Sequence, residues 1–294
     1  VRNYWQQGIL PLLDASKIFN EINYIHQVKK DQILKHCKNK LKKSCDIIVG
    51  IGGDKILNEI ANGIINQNNE ITVCILPCGL PGENTMSKEL NFNALIEGVK
   101  ALVNPHATAL DGFEIQHKNK KNTDKHAGLT AAFGSLHILN KDKYINTYCH
   151  AIKEKLVDLY WTNKANIEPE PGSDDAKLSD NWWMQPNSKA PKNWEFESAE
   201  FGVLYCTNIS YITDKSQYTR DKKFKMNNGF LGLLHATKKR INLDDNGYRE
   251  YIRDNGSLNS KYIMACNISE CVVKINKDNA IYVKSLPNAF NIIV

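Results

Sequence analysis

The sequence predicts an α/β protein with a β-rich second half: a three-layer, Rossmann-like parallel-sheet domain over residues 1–106, then an antiparallel β-sandwich over 107–294. Three observations carry this expectation. Short, β-branched apolar runs alternate with helix-patterned segments as far as Pro105, the signature of a parallel sheet wrapped by helices. Beyond His106 the texture changes to short strand-like pieces separated by polar turns, which suits a sandwich. Two of the early runs end in glycine-rich turns that open helices, the arrangement found where open α/β sheets bind ligands.

Taken in order, Tyr4–Ile18 reads as a helix, Glu21–His26 as a short strand and Asp31–Lys43 as a basic helix. Asp46–Ile51 (DIIVGI) is apolar enough for a strand buried on both faces. Ile56, Leu57, Ile60, Ala61, Ile64 and Ile65 then recur at helical spacing, giving a helix over Lys55–Asn66. Ile71–Leu76 is a strand, followed by CGLPGEN, and Asn93–Val103 is a helix that ends before Pro105. The sandwich strands are expected at Ala109–His117, Leu129–Leu139, Glu200–Ile209, Lys261–Ile268, Glu270–Ile275 and Ala280–Val283. Residues 168–193, rich in Pro, Gly, Ser and Asp, read as a long exposed insertion. Trp182, Trp183 and Met184 within it are candidates either for dipping into a membrane interface or for a loop folded back on the sandwich.

At 294 residues with 42% hydrophobic content, the chain can bury a substantial core in one or two domains. No run of about 18 apolar residues is present, so no spanning helix is expected. The net charge of +6 is spread over Lys29–Lys43, Lys118–Lys125, Lys222–Lys225 and Lys238–Arg240. It suits an anionic membrane surface or phosphate, while solvated lysine faces explain most of it. The basic residues are not interleaved with a stacking platform, which argues against nucleic acid. Eight cysteines without a C-x-x-C pair read as reduced thiols of a cytoplasmic protein, and VRNYWQQG at the start suggests a missing upstream piece. His126 and the Cys149-His150 pair lack companions at metal-ligand spacing and read as structural.

The glycine turns carry the chemistry. Gly52 and Gly53 allow close backbone approach and leave amides free to face phosphate, and the helix that follows adds its positive end. Asp54 is then a carboxylate where phosphate is expected, the logic of a group that holds magnesium or takes a proton from an attacking hydroxyl. As a bare turn, Gly-Gly-Asp is equally a helix start with Asp54 as cap. The second turn, Leu76–Thr85, places another glycine loop beside the first.

IGGDKILNEIANGI resembles the GGDGT-x-x-E-x-x-N-G segment of the diacylglycerol kinase catalytic-domain superfamily, with Asp54, Asn58, Glu59, Asn62 and Gly63 at matching spacing. LPCGLPGENT is similar to the P-x-G-(S/T)-G-N loop of that superfamily, one or two residues longer. Thr130–Tyr144, Trp194–Tyr211, Lys225–Arg240 and LPNAFNIIV resemble segments of its sphingosine and ceramide kinase branch. The resemblance implies ATP and magnesium as cofactors and Asp54 as catalytic base. It places Gly52, Gly53, Lys55, Glu59, Gly79, Gly82 and Asn84 around the nucleotide. It further implies a lipid substrate such as sphingosine, ceramide or diacylglycerol, phosphorylated on a primary hydroxyl, and peripheral attachment to membranes.

Four departures from that pattern point to the alternative of a lipid-binding pseudokinase. The first strand and its N-P-x-x-G loop are absent. GGDGT reads GGDKI, where the Lys55 side chain is expected to obstruct an αL-like turn and Ile56 lacks a hydroxyl. The aspartates that meet a sphingoid amine are replaced by SLHILN, leaving His137, Asn140 and Asp142 nearby. The C-terminal D-G-E is missing, with Asp278 a weak substitute. An NAD kinase would share the GGD turn, but N-E-x-x-N-G speaks for the lipid branch.

Overall fold

The structure, a computed structural model, describes residues 5–23, 25, 32–39, 41, 45–65, 71–80, 84–118, 124–126, 130–134, 148–151, 156–163, 182–185, 188–213, 216–217, 226–237 and 264–294. A π-helical turn (Trp5–Ile9) runs into α1 (Leu10–Ser16), which stops where Lys17 adopts a left-handed backbone (φ 53°). Then follow α2 (Gln32–Asn39), β1 (Ile47–Gly52), α3 (Asp54–Ile64), β2 (Thr72–Pro77), the short α4 (Thr85–Glu89) and α5 (Leu95–Val103). The remainder is β: β3 (Ala107–His117), β4 (Asp124–His126), β5 (Thr130–Gly134), β6 (Tyr148–Ala151), β7 (Val157–Thr162), β8 (Glu195–Ala199), β9 (Phe201–Thr207), β10 (Tyr211–Thr213), β11 (Ser216–Gln217), β12 (Leu231–Thr237), β13 (Met264–Ile268), β14 (Glu270–Asn276) and β15 (Asn279–Ile293). Glu21, Ile22, Asn23 and Ile25 are in no strand, and Tyr24 and His26 of the strand expected there lie outside the described residues, as do most of the basic clusters.

The fold is the expected α/β plus β architecture. β1 and β2 are parallel, in the register Ile47 with Thr72 through Gly52 with Pro77, and Asn291 and Ile292 of β15 add to β2 in parallel. Alternation along a strand sends successive side chains to opposite faces. On one face Val73, Ile75 and Ile292 meet Cys37 of α2, Leu57 and Ile60 of α3, and Met86 of α4. On the other, Cys74, Leu76 and Ile293 meet Trp5, Ile9, Leu13 and the α5 residues Val99 and Leu102. These are the three layers. Cys74 is fully buried, and burial pushes its thiol up to about 12.

The β half is a two-sheet sandwich. β3, β15, β14, β7 and β8 present Phe113, Ile115, Val157, Leu159, Cys271, Val273, Ile281 and Val283 inward. The sheet of β13, β12, β9, β5 and β6 answers with Phe201, Leu204, Cys206, Leu231, Leu233 and Ile268.

β15 is far longer than the expected Ala280–Val283. It pairs with β14 and β3, changes register between Leu286 and Phe290, and continues to β2. Pro287 and Asn288 (φ 54°) form the bend, so one strand belongs to both the sandwich and the parallel section. Among the described residues this gives a continuous eight-stranded sheet.

The tryptophans of the insertion correct one expectation. Trp182 and Trp183 are 4% and 1% exposed, not available to a bilayer. They lie in a 3-10 turn against the outer face of the sheet, on Val272, Ala280 and Tyr282. Trp183 stacks on Tyr282 with centroids 5.5 Å apart, and Lys274 Nζ sits 4.7 Å from the Trp182 ring. The physical reason is that a sheet face bearing Val272 and Tyr282 needs cover, and two indoles bury more apolar area there than lysine-flanked exposure would. Replacing Trp183 by alanine is expected to cost about 3–5 kcal/mol, as for other buried tryptophans. A fall in the denaturant midpoint without a change in slope measures it.

Candidate functional site

The two glycine turns stand at the carboxyl ends of adjacent parallel strands. β1 ends at Gly52, and Gly53, in extended conformation, is the N-cap of α3. The helix begins one residue earlier than expected, at Asp54. From β2, the Cys78 amide donates to the Gly52 carbonyl at 3.1 Å, and Gly79 then crosses over Gly53. A Cβ at position 79 would lie 2.6 Å from the Gly53 α-carbon and 3.0 Å from its nitrogen. Neither backbone has room to retreat, so the contact requires glycine at 79.

Asn84 closes the second turn on itself. Its Oδ1 accepts from the Gly79 amide at 3.0 Å, while its Nδ2 donates to the carbonyls of Gly79 and Leu80 at 3.4 and 3.3 Å. Gly82 lies outside the described residues.

Asp54 is 1% exposed and caps a helix other than its own. Its Oδ2 accepts from the Thr85 amide at 2.8 Å and the Thr85 hydroxyl at 2.5 Å, and its Oδ1 accepts from the Met86 amide at 3.0 Å. The carboxylate thereby satisfies the first amides of α4 from across the site, the role a capping side chain usually plays within one chain segment. A carboxylate has about four acceptor positions, and these three donors use most of them. A substrate hydroxyl would have to share these oxygens with the three donors, of which the Thr85 hydroxyl is the one carried on a side chain.

Lys55 is exposed in the first turn of α3 with ordinary helical backbone; it is not among the positive-φ residues. The expected αL-like turn is thus absent, and the lysine does not obstruct it, because the helix starts before this residue. Ile56, not Lys55, is the side chain packed over the turn. Its Cδ1 lies over Gly52, only 2.7 Å from where a Cβ would stand.

Further along α3 the matching motif residues have packing roles. Asn62 Nδ2 donates to the Asn58 carbonyl at 2.7 Å and to Asn58 Oδ1 at 2.8 Å. Gly63 lets α2 approach, since a Cβ there would fall 2.3 Å from the Cys37 Cβ. Glu59, 7% exposed, lies near Cys37, whose thiol is pushed up to about 11 by burial, with Cys45 and Glu59 contributing. The structure therefore gathers Gly52, Gly53, Asp54, Gly79 and Asn84 in one place, puts Lys55 at the rim, and sets Glu59 toward α2.

Residues 2–115 match the family model of the diacylglycerol kinase catalytic domain. Over 72 residues the chain is 38% identical to a diacylglycerol kinase of Staphylococcus haemolyticus (strain JCSC1435). That stretch is 24% of this chain, and it spans about a fifth of the relative's length, 21%. The fold is similar to the crystal structure of a diacylglycerol kinase from Bacillus anthracis str. Sterne, with a TM-score of 0.65 at 15% identity, covering 99% of this chain and 90% of that one. The likeness to diacylglycerol kinases thus rests on sequence in the first section and on fold along the whole chain.

Thr85 and Glu89, which bind Asp54 and Ser210, do not stand out in the sequence. A threonine opening a helix directly after Asn84 was a legible sign for the first. For Glu89 no local signal exists, because its partner Ser210 is 121 residues away. Thr85→Val removes a donor to a buried charge and is expected to cost about 1.5–3 kcal/mol. Thr85→Ser, which keeps the hydroxyl, should recover most of it in the same unfolding measurement.

Proposed function

We propose that this protein is an ATP-dependent lipid kinase, transferring the γ-phosphoryl group of ATP to the primary hydroxyl of a diacylglycerol, sphingosine or ceramide, with ADP and a proton released. The observation that carries the reading is the backbone contact of Gly53 with Gly79 at the N-terminus of α3. Two turns that cross at glycines and a helix start make a cradle for phosphate oxygens in which a Cβ at 79 would not fit.

In this reading Gly52, Gly53, Gly79, Gly82 and Asn84 surround the phosphates, and Lys55 offers a cation at the rim. Among the described residues no three His, Cys, Asp or Glu side chains come together as a metal site. Magnesium would accordingly be held mainly through the phosphates, where it supplies neutralisation of their charge. Asp54 is the group placed to receive the hydroxyl proton. The lipid acceptor and an anionic membrane surface suit the +6 net charge. Among the described residues no helix is long and apolar enough to cross a membrane, so the reading has the protein meet lipid from the surface. The resemblance of the β half to sphingosine and ceramide kinases makes those lipids acceptors to test beside diacylglycerol.

A second reading, a pseudokinase that binds lipid without turnover, is favoured by one specific observation: Asp54 is already satisfied by Thr85 and Met86, with Ile56 covering Gly52.

Incubation with magnesium, ATP and each of the three lipids separates the two. The kinase reading expects a phosphorylated lipid that disappears with Asp54→Asn; bound lipid with no product on any acceptor rejects it. Lys55→Ala is expected to raise the KM for ATP by up to about fivefold, the scale of an exposed charge pair of 0.2–1 kcal/mol. A steady-state titration of ATP reads that change.

A further inference from the structure

α4 is five residues long, too short to hold itself together, and it is fastened at both ends by carboxylates from different parts of the fold. At its start, Asp54 takes the amides of Thr85 and Met86. At its end, Glu89 reaches the sandwich: Ser210 N donates to Glu89 Oε2 at 2.9 Å and Ser210 Oγ to Glu89 Oε1 at 3.2 Å. Ser210 belongs to the turn after β9, and that turn is itself fixed. The Asn208 side-chain amide donates to the Asp111 carbonyl, and the Asp111 carboxylate accepts from the amides of Gly229 at 2.7 Å and Asn288 at 2.9 Å. Ile209 between them is buried in the same core as Leu57, Ile60 and Met86.

We propose that Glu89 is a positioning residue of the glycine-turn site: by gripping Ser210 it ties α4, and through Thr85 and Met86 the carboxylate of Asp54, to the frame of the sandwich. The inference deepens the kinase reading and rests on it for its catalytic consequence. The mechanical content stands on the contacts alone. Both oxygens of Glu89 are committed to one residue of the other half, so the helix cannot pivot about its N-terminus without breaking two hydrogen bonds. The second glycine turn is continuous with α4 through Asn84, so the spacing between the turns is set from the sandwich side as well as from β1 and β2. Desolvation holds the carboxyl of half-buried Glu89 above its ordinary value, and the two Ser210 donors offset part of that, which makes Ser210 the partner that favours its charged form.

The test uses Glu89→Gln, which opposes one Ser210 donor with an amide, and Ser210→Ala, which removes the hydroxyl and keeps the backbone donor. Amide hydrogen exchange at Thr85 and Met86 is the readout that needs no activity. Glu89→Gln is expected to speed exchange at both amides at least tenfold, with sandwich-core amides such as those of Leu159 and Val273 unchanged. Ser210→Ala should act in the same direction and add little once Glu89 is Gln. Where phosphoryl transfer is measurable, Glu89→Gln should raise the KM for ATP several-fold with a smaller effect on the KM for lipid. Unchanged exchange at Thr85 and Met86 in both variants, or uniform acceleration through the whole protein, overturns the proposal. Should Glu89→Gln not fold, Ser210→Ala decides by the same exchange criterion. A wild-type protein that phosphorylates none of the lipids sinks the kinase reading, and the exchange result then decides the role of Glu89 alone.

Discussion

The constraint on which the architecture depends is the bend in β15, held by the carboxylate of Asp111. A strand that pairs with β14 and β3 in the sandwich must change register at Leu286 to continue beside β2. At the bend Pro287 can donate nothing to the ladder and Asn288 turns left-handed, so the sheet loses hydrogen bonds there. Asp111 accepts the Asn288 amide on one oxygen and the Gly229 amide on the other, returning part of what the ladder gives up. Ser285 Oγ adds a bond to the Gly229 carbonyl at 2.8 Å. Burial holds the Asp111 carboxyl above its ordinary value, and these two amides offset part of that rise.

Because one strand serves both sections, the glycine turns and the sandwich are parts of a single framework and not two bodies joined by a linker. The contact between Gly53 and Gly79 follows from the parallel register of β1 and β2, which brings both strand ends to the same level. The hydrogen bonds of Asp54 then decide where α4 begins. A carboxylate is a good structural cap and a good proton acceptor for the same reason, its concentrated negative charge, and the two uses compete for the same lone pairs. The arrangement around Asp54 shows a site in which the structural use is filled, with one side-chain hydroxyl among its donors.

The aromatic cluster of the insertion illustrates how the same residues serve different ends according to what lies beneath them. Tyr160, Trp182, Trp183, Trp194 and Tyr282 form edge and stacked pairs on the outer sheet face, with Lys274 seated over the Tyr160 and Trp182 rings. Desolvation lowers the Lys274 ammonium, while Asp158 on the neighbouring strand opposes that effect. In sequence the Trp182-Trp183 pair suggested a membrane contact or a folded-back loop; in the fold it covers a sheet face.

By itself the sequence determined the strand-turn-helix units, since β-branched runs, glycines and 3.6-residue periodicity act over a few residues. Ile47–Gly52, Asp54–Ile64 and Thr72–Pro77 lie within a residue or two of their expected bounds. The gathering of Gly52, Gly53, Gly79 and Asn84 was legible for the same reason, as two turns on neighbouring parallel strands must meet. The ends of β15 were not, because a Pro-Asn pair reads locally as a strand stop, and only pairing with β3 and β2 carries the strand through it. Nor could the sequence show that Lys55 is helical and exposed while Ile56 covers Gly52, a difference set by where α3 starts. The clasp of Asp54 on Thr85 and Met86, and the grip of Glu89 on Ser210, were decided by tertiary structure alone. Hydrogen bonds between residues 31 to 121 positions apart leave no periodic trace in the chain; they exist only once packing has brought the two ends together.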